Sequence, residues 1–469
     1  MHQNEIDVRR EWLQNHCPEL AVSTEPAVLQ SHGRDWTRFR EPRPAAVVFP
    51  EHVEQVVHLV RVAAEHGVPL VPSGGRTGLS GGAVAAAGEV VVSLDRLRRI
   101  LDFDATDRTV TVEAGVVTAA VQAYAAERGL CYPVSFGAEG SSQIGGNIAT
   151  NAGGLRVLRY GLTRDWVAGL SFVDGRGALL ECNAGLVKNA SGFDLRHLLI
   201  GSEGTLGIVV RAMLRLTDPP PPRAAMVLGL DRLDALMPVF RAAREALALS
   251  AFEFFSATAL QRVCAHLGCA PPLAEACPFL VLLEFDNPDG EDGLSFAAAI
   301  YDRCVETGWV REGVIGESAT QARALWRYRE AIPESIAAAT PYKNDLAVRI
   351  SRVPDFLAAL DGQVAAQYPE LEVLWYGHIG DGNLHMNVLK PDGMALEAFE
   401  QACAAASRSI YALTRSFGGT ISAEHGIGLL KQADLGYCRS AAEIEHMRGI
   451  KAVLDPAGIM NPGKLIAVG

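Results

Sequence analysis

His378 and His385 stand symmetrically about Asp381-Gly382 in the run Trp375-Tyr-Gly-His-Ile-Gly-Asp-Gly-Asn-Leu-His-Met-Asn-Val388. Asp-Gly is a strong signal for a two-residue type I′ hairpin, because that turn needs positive φ at both central residues. With Asp381 and Gly382 as the turn, 378 pairs with 385 and 376 with 387. The two imidazoles then stand side by side on one strand face, about 4.5 to 5.5 Å apart at Cβ, where one metal ion could bridge them. Tyr376 and Asn387 share the face, since alternate strand residues point the same way. The plainer alternative is a hairpin with two surface histidines.

A second cluster lies in Gly418-Gly-Thr-Ile-Ser-Ala-Glu-His-Gly-Ile-Gly428, where Glu424 and His425 are adjacent and flanked by glycines that allow close approach of backbone and ligand. Two histidines and one carboxylate make the three-ligand set of an open catalytic zinc or manganese site, with a position left for substrate. The remaining histidine is then available as a base. The alternative leaves Glu424 and His425 as solvated loop residues.

The elements that must carry these groups belong to a chain of 469 residues, 49% apolar and 20% charged, with a formal charge of -12. That length suits two or three domains with a large core. The negative balance excludes a broad nucleic-acid surface or adhesion to anionic lipid, so an acidic substrate needs a local cationic pocket. Residues 1–10 contain no signal-peptide core, and no long uncharged apolar run appears, so a cytoplasmic location is expected. Nine cysteines without a Cys-x-x-Cys pair fit a reduced compartment and show no iron-sulfur run. Cys264, His266, Cys269 and Cys277 cluster, but Leu260–Gly268 reads as a helix end with buried free thiols rather than a metal site.

Val53, Val56, Val57, Val60 and Ala64 have amphipathic helix spacing, with Gly67 as the stop and Val68–Val71 as the following strand. Val121, Tyr124 and Ala125 lead through Gly129 to Leu130–Pro133 as a related helix-then-strand unit. Glu89–Leu94 and Thr109–Glu113 read as strands. Three glycine-rich loops punctuate this α+β body: Pro72–Gly82, Gly137–Asn147 with Asn151–Gly154, and Gly201–Ile208. Their N–H groups suit a pyrophosphate. Gly74, Gly78 and Asp95 invite a Rossmann reading, but Leu79–Gly88 carries three more glycines and leaves no room for the required helix. Prolines in Thr217–Arg223 mark a boundary. Beyond it lie a helix over Leu233–Leu249, a strand over Phe279–Phe285, the hairpin and a closing segment ending in Leu454–Lys464.

Together the glycine loops, the hairpin, Ser422-Ala-Glu-His-Gly426 and Asp455–Lys464 resemble the FAD-linked D-2-hydroxy-acid dehydrogenases of the vanillyl-alcohol-oxidase flavoprotein group. The resemblance runs from about residue 40 to 467. Asn151–Gly161 and Tyr342-Lys-Asn-Asp-Leu346 look most like the D-2-hydroxyglutarate branch, with D-lactate dehydrogenases as relatives. The implied fold is α+β: a two-subdomain FAD-binding body, an α+β cap and a C-terminal segment returning to the flavin. The expected divisions are a helical segment over 1–40, the FAD domain over 41–218, the cap with its metal hairpin over 219–417, and 418–469 completing the active site.

The resemblance implies that Ser73, Gly74, Gly75, Arg76, Thr77 and Gly78 cradle the FAD pyrophosphate. Pro133, Gly137, Ser141, Gly145, Gly146 and Asn147 would line the cofactor, with Gly153, Gly154, Gly161, Glu203, Ile208 and Asn461 completing the wall. Relatives with covalent flavin often carry a histidine in the first loop; Arg76-Thr77 stands there, so non-covalent FAD is expected. The metal ligands would be His378, His385 and Glu424, binding Zn²⁺ or Mn²⁺, and the base His425, in agreement with the spacing.

The implied reaction oxidises a D-2-hydroxy acid, D-2-hydroxyglutarate before D-lactate, to the 2-oxo acid. Hydride would pass to flavin N5 and the hydroxyl proton to His425. Arg329 would clamp a carboxylate through its fork and Lys343 as a point charge, with Asn387 and Tyr376 on the hairpin face. Arg323 and Arg327 crowd the same stretch, so Arg329 has a surface alternative. Pro333 departs from the hydroxyglutarate pattern, where a threonine can stand. The expected partners are the small hydroxy acid and an external acceptor such as an electron-transfer flavoprotein or quinone, with no nucleic acid and no membrane span. Homodimerisation is left open. Of the other readings, a zinc hydrolase has no use for three phosphate-binding loops, and the metal set argues against FAD used without net redox.

Overall fold

The computed structural model describes residues 2–37, 40–287 and 292–467. The chain divides into two compact units. One comprises the residues up to Gly153, Leu162–Pro219 and the chain from Glu424 onward, and the other Gly154–Gly161 and Pro220–Ala423.

In the first unit, β1 (Ala21–Ser23), β2 (Ala46–Phe49), β3 (Leu70–Ser73) and β4 (Val90–Ser93) form a sheet in the order β1-β2-β4-β3. The β2-β4-β3 core is parallel. The helix Val53–His66 supplies the crossover between β2 and β3, as parallel pairing requires. It buries Val53, Val56, Leu59, Val60, Val62 and Ala63, and Gly67 ends it at φ 66° with its N–H on the Ala63 carbonyl. No helix follows Ser73: residues 74–89 are turns and bends, which agrees with rejecting the Rossmann fingerprint.

A second, antiparallel sheet is built from β5 (Ile100–Asp104), β6 (Thr109–Glu113), β7 (Val167–Asp174), β8 (Leu179–Cys182) and β9 (Gly207–Arg215), ordered β5-β6-β9-β7-β8. One apolar core joins both sheets, with Val48, Val92, Val112, Phe172 and Val210 buried together. The expected second helix-then-strand unit is only half present. The helix Thr118–Ala126 forms, but Leu130–Pro133 makes a single bridge, Cys131 to Thr217, in place of a strand. Pro133 lacks the donor that would extend the ladder.

The second unit is organised by one antiparallel sheet of seven strands: β10 (Arg223–Leu230), β11 (Leu249–Ser256), β12 (Phe279–Asp286), β13 (Glu312–Gly316), β14 (Tyr342–Ala347), β15 (Val373–Gly377) and β16 (Asn383–Val388). Their order is β13-β10-β12-β11-β15-β16-β14. The run expected as one helix over Leu233–Leu249 is a short 3₁₀ turn followed by the helix Leu236–Ala246, and Leu249 already opens β11.

Register decides which side chains meet. Phe255 pairs with Tyr376, Tyr376 with His385, Lys343 with Asn387 and Asp345 with His385. Because side chains alternate, Glu253, Tyr376, His385, Asn387, Lys343 and Asp345 share one face. The same face carries an apolar cluster of Val227, Phe255, Leu280, Leu282 and Leu374, packed against Trp326 of the helix Ala319–Glu330.

The hairpin corrects the expected turn. Asp381 and Gly382 are not a two-residue I′ turn: Ile379–Asp381 form a 3₁₀ turn, and among these residues only Gly382 has positive φ, 89°. The loop is therefore four residues long, with the Asn383 N–H donating to the His378 carbonyl at 3.2 Å. Tyr376, not His378, faces His385, and Leu374, not Tyr376, faces Asn387. The physical cause is burial of Ile379, 1% exposed, and close seating of Gly380 on Phe252, which draw the loop into the core. A slip of two residues leaves every side chain on its expected face, whereas a slip of one would not.

Candidate active site

In the first unit the glycine loops meet. A Cβ on Gly75 would lie 2.3 Å from the Ser141 carbonyl oxygen, so the loop after Ser73 rests on the loop that carries Ser141. Asp95 organises this junction. It accepts from His32 Nε2 at 3.1 Å, Arg76 Nη2 at 3.2 Å and Gln143 Nε2 at 2.7 Å. Burial works against its charge, but the His32 bond, the Arg76 guanidinium and the Gln143 bond outweigh it and hold the carboxyl well below the usual carboxylate range. Gly145 packs tightly on Ala114, whereas a Cβ on Gly146 would meet nothing within 4 Å. Asn147 Nδ2 donates to Thr118 Oγ1 at 2.6 Å, Pro133 and Ile208 are buried, and Gly137 and Ser141 stand at a turn.

Arg76 (φ 60°), Glu203 (φ 53°) and Asn461 (φ 44°) all adopt left-handed backbone, which non-glycine residues rarely do. Asn461 is placed by the C-terminal chain running beside β3, its N–H donating to the Leu70 carbonyl at 2.8 Å. Its Nδ2 donates to the carbonyls of Gly82 (2.9 Å) and Glu203 (2.7 Å), while its buried Oδ1 has no protein partner. An orphaned buried acceptor on a side chain that bridges two of the glycine loops, at Gly82 and Glu203, fits a bound cofactor such as FAD. Gly153 belongs to this unit. Gly154 and Gly161 belong to the other, where Arg156 ties their segment to Glu284 at 2.8 and 3.0 Å.

In the second unit, Glu253 stands at the centre. Its Oε1 bonds His378 Nδ1 at 3.0 Å, and its Oε2 lies 2.9 Å from both His378 Nδ1 and Arg329 Nη2. The Arg329 contact is an ion pair without a directed N–H bond: Nε and Nη2, one edge of the buried guanidinium, have no hydrogen-bond partner. Arg329 lies over the Tyr376 ring, its Cζ 4.8 Å from the centroid. The His378 and His385 rings are 5.4 Å apart, and Tyr376 packs on His385 at 5.1 Å. His385 Nδ1 is 3.6 Å from Asp345 Oδ1, which also accepts from Asn383 Nδ2 at 2.9 Å. Asn387, 1% exposed, has neither Oδ1 nor Nδ2 bonded.

The chain leaves this unit at Ala423, whose N–H donates to the Asp345 carbonyl at 3.3 Å. Glu424 and His425 are the next two residues, and both are half-buried. The loop they open is held in the first unit by Glu203, which accepts the N–H groups of Ile427 and Gly428 at 2.8 and 2.7 Å. Lys343 is half-buried, opposite Asn387. Pro333 is the second residue of the short helix Ile332–Ser335. Among the described residues, Cys264, His266, Cys269 and Cys277 form no group able to hold a metal, and all are free thiols or a histidine loosely paired with Glu334.

Two residues escaped the sequence reasoning. Glu253 is the lone charge in the fully buried strand Leu-Ser-Ala-Phe-Glu-Phe-Phe-Ser. A carboxylate in such a run must be paired, and that was its available signal. Asp345 sits among polar neighbours, so only its pairing with His385 singles it out.

Residues 44–183 match the family described as FAD binding domain and residues 219–465 that of FAD linked oxidases, C-terminal domain. A D-2-hydroxyglutarate dehydrogenase of Xanthomonas citri pv. viticola is 56% identical over 453 residues, 97% of this chain and 96% of that protein. One from Stutzerimonas stutzeri is 51% identical, covering 95% of this chain and 96% of that protein. A substrate-bound p-cresol methylhydroxylase structure has a TM-score of 0.79 at 15% identity, covering 99% of this chain and 98% of its own, and so shares the fold.

Proposed function

Since this chain belongs to the FAD-linked oxidases, in the group of the D-2-hydroxyglutarate dehydrogenases, we propose that it oxidises D-2-hydroxyglutarate to the 2-oxo acid with non-covalent FAD and a divalent cation. When bound, the flavin supplies a two-electron acceptor and the cation supplies Lewis-acid polarisation of the substrate hydroxyl.

The residues of the chain supply recognition and proton transfer. His378, His385 and Glu424 are the proposed cation ligands, Zn²⁺ or Mn²⁺ being suited to imidazole and carboxylate donors; Asp345, 3.6 Å from His385 Nδ1, adds a further carboxylate. His425 takes the hydroxyl proton as the C2–H bond breaks. Arg329 pairs with a substrate carboxylate through its guanidinium, Lys343 pairs with the second as a point charge, and Asn387 orients the hydroxy acid beside Tyr376. Ser73–Gly78, Gly145–Asn147, Glu203 and Asn461 hold the cofactor. Reduced enzyme passes its electrons to an external acceptor, an electron-transfer flavoprotein or a quinone. Among the described residues, no helix is long and apolar enough to cross a membrane.

This reading is carried by buried polar atoms that make no protein hydrogen bond, Arg329 Nε and both ends of the Asn387 amide, in a unit where two histidines face carboxylates. Such atoms cost free energy unless a ligand completes them. The test is anaerobic visible spectroscopy with D-2-hydroxyglutarate, D-lactate, D-malate and their L forms, before and after chelation. Bleaching by D-2-hydroxyglutarate first, lost on chelation and restored by metal, is expected. A D-lactate preference would overturn the substrate assignment, and bleaching unaffected by chelation would overturn the cation.

A further inference from the structure

We propose that Glu253 is a positioning residue: one carboxylate sets both the tautomer of His378 and the placement of Arg329. The inference rests on the functional reading above and assigns a role to a residue that reading does not use.

Glu253 occupies the middle of β11, whose eight residues are all buried, between Phe252 and Phe254. An ion pair so deep is a poor device for stability, because a well-packed apolar pair at the same sites is usually as good or better. Its geometry serves orientation instead. A carboxylate 3.0 Å from His378 Nδ1 selects the tautomer in which Nδ1 carries the hydrogen and Nε2 the lone pair. That is the form in which an imidazole ligates a cation through Nε2. The same carboxylate lies 2.9 Å from Arg329 Nη2, while Tyr376 supports the guanidinium from its ring face. The proposed cation ligand and the proposed substrate clamp, far apart in sequence, thus share one anchor, and displacement of Glu253 moves both.

The deciding variants are Glu253→Met, which removes the acceptor but strands the Arg329 charge, and E253M/R329M, which removes acceptor and charge together at similar volume. Two readouts are taken on full-length FAD-loaded protein. Long-range ¹H–¹⁵N spectra of imidazole-labelled, chelator-treated enzyme, assigned with H378N, report the His378 tautomer without metal. Cobalt(II) titration reports metal affinity. In wild type, Nδ1–H is expected. In the double variant, thermal stability returns toward wild type, but the Nδ1–H preference is lost and cobalt affinity falls about 10- to 100-fold. Persistence of the Nδ1–H tautomer in the double variant would overturn the proposal, as would cobalt affinity recovering along with stability. Wild-type protein that takes up no cobalt would overturn the cation in the functional reading, while the tautomer spectra would still decide the role of Glu253.

Discussion

Glu203 grips Gly428: its carboxylate accepts that N–H at 2.7 Å, and the neighbouring Ile427 N–H at 2.8 Å, so a residue expected at the flavin also holds the loop that carries His425. Burial pushes the Glu203 carboxyl up, and the two N–H bonds oppose that. Glu203→Ala leaves both donors unsatisfied, at about 1–3 kcal/mol each. Urea unfolding should show a loss of about 2–6 kcal/mol, with kcat lowered as the loop loosens. Unchanged stability would mean that water replaces the carboxylate.

Gly145 and Gly146 separate packing from cofactor contact. Gly145→Ala meets Ala114 Cβ at 2.8 Å, so it should destabilise the apoprotein, whereas Gly146→Ala meets no protein atom. The second variant should keep the apoprotein melting temperature yet bind FAD at least tenfold more weakly, a loss of about 1.4 kcal/mol. Titration of apoprotein with FAD checks both. Normal FAD affinity in G146A would move the cofactor off this loop.

Arg329→Lys keeps a positive charge but discards the planar fork. KM for D-2-hydroxyglutarate should rise roughly tenfold or more, with kcat changed less. Steady-state kinetics with a dye acceptor decides; an unchanged KM would return Arg329 to a purely structural ion pair with Glu253.

His425→Asn removes the proposed base. The expected loss in kcat/KM is about 10²- to 10⁴-fold, with flavin content and cobalt affinity preserved. A loss below about tenfold would place the base elsewhere.

Asp35 gives a pH signature. Burial outweighs the N–H bonds from Thr37 and Gly81 and pushes its carboxyl up to about 6. An unfolded aspartate titrates near pH 4, so the folded state binds this proton more tightly. Its stabilising contribution is complete below about pH 4 and is lost as the pH rises through about 6. Melting temperatures of wild type should therefore fall across that window relative to Asp35→Asn, whose profile lacks this titration. Parallel profiles would show that Asp35 stays charged when folded.

The residue types and spacing alone made several things legible. The glycine loops, the helix ended by Gly67, the absence of a helix after Gly78, the shared face of His378, His385 and Asn387, and the family resemblance all follow from local rules. Backbone freedom and strand alternation depend on neighbours in the chain. Tertiary packing decided the rest. Burial of Ile379 lengthened the hairpin loop and moved its register by two, which no turn signal encodes. Pairing with β11 brought Glu253 to His378 across 125 positions, and helix packing delivered Arg329 to the same carboxylate. Residues Gly154–Gly161 joined the second unit through Glu284, although their glycines read as part of the first. Long-range contacts of this kind depend on which faces the whole chain can bury at once, and a local pattern carries no record of that choice.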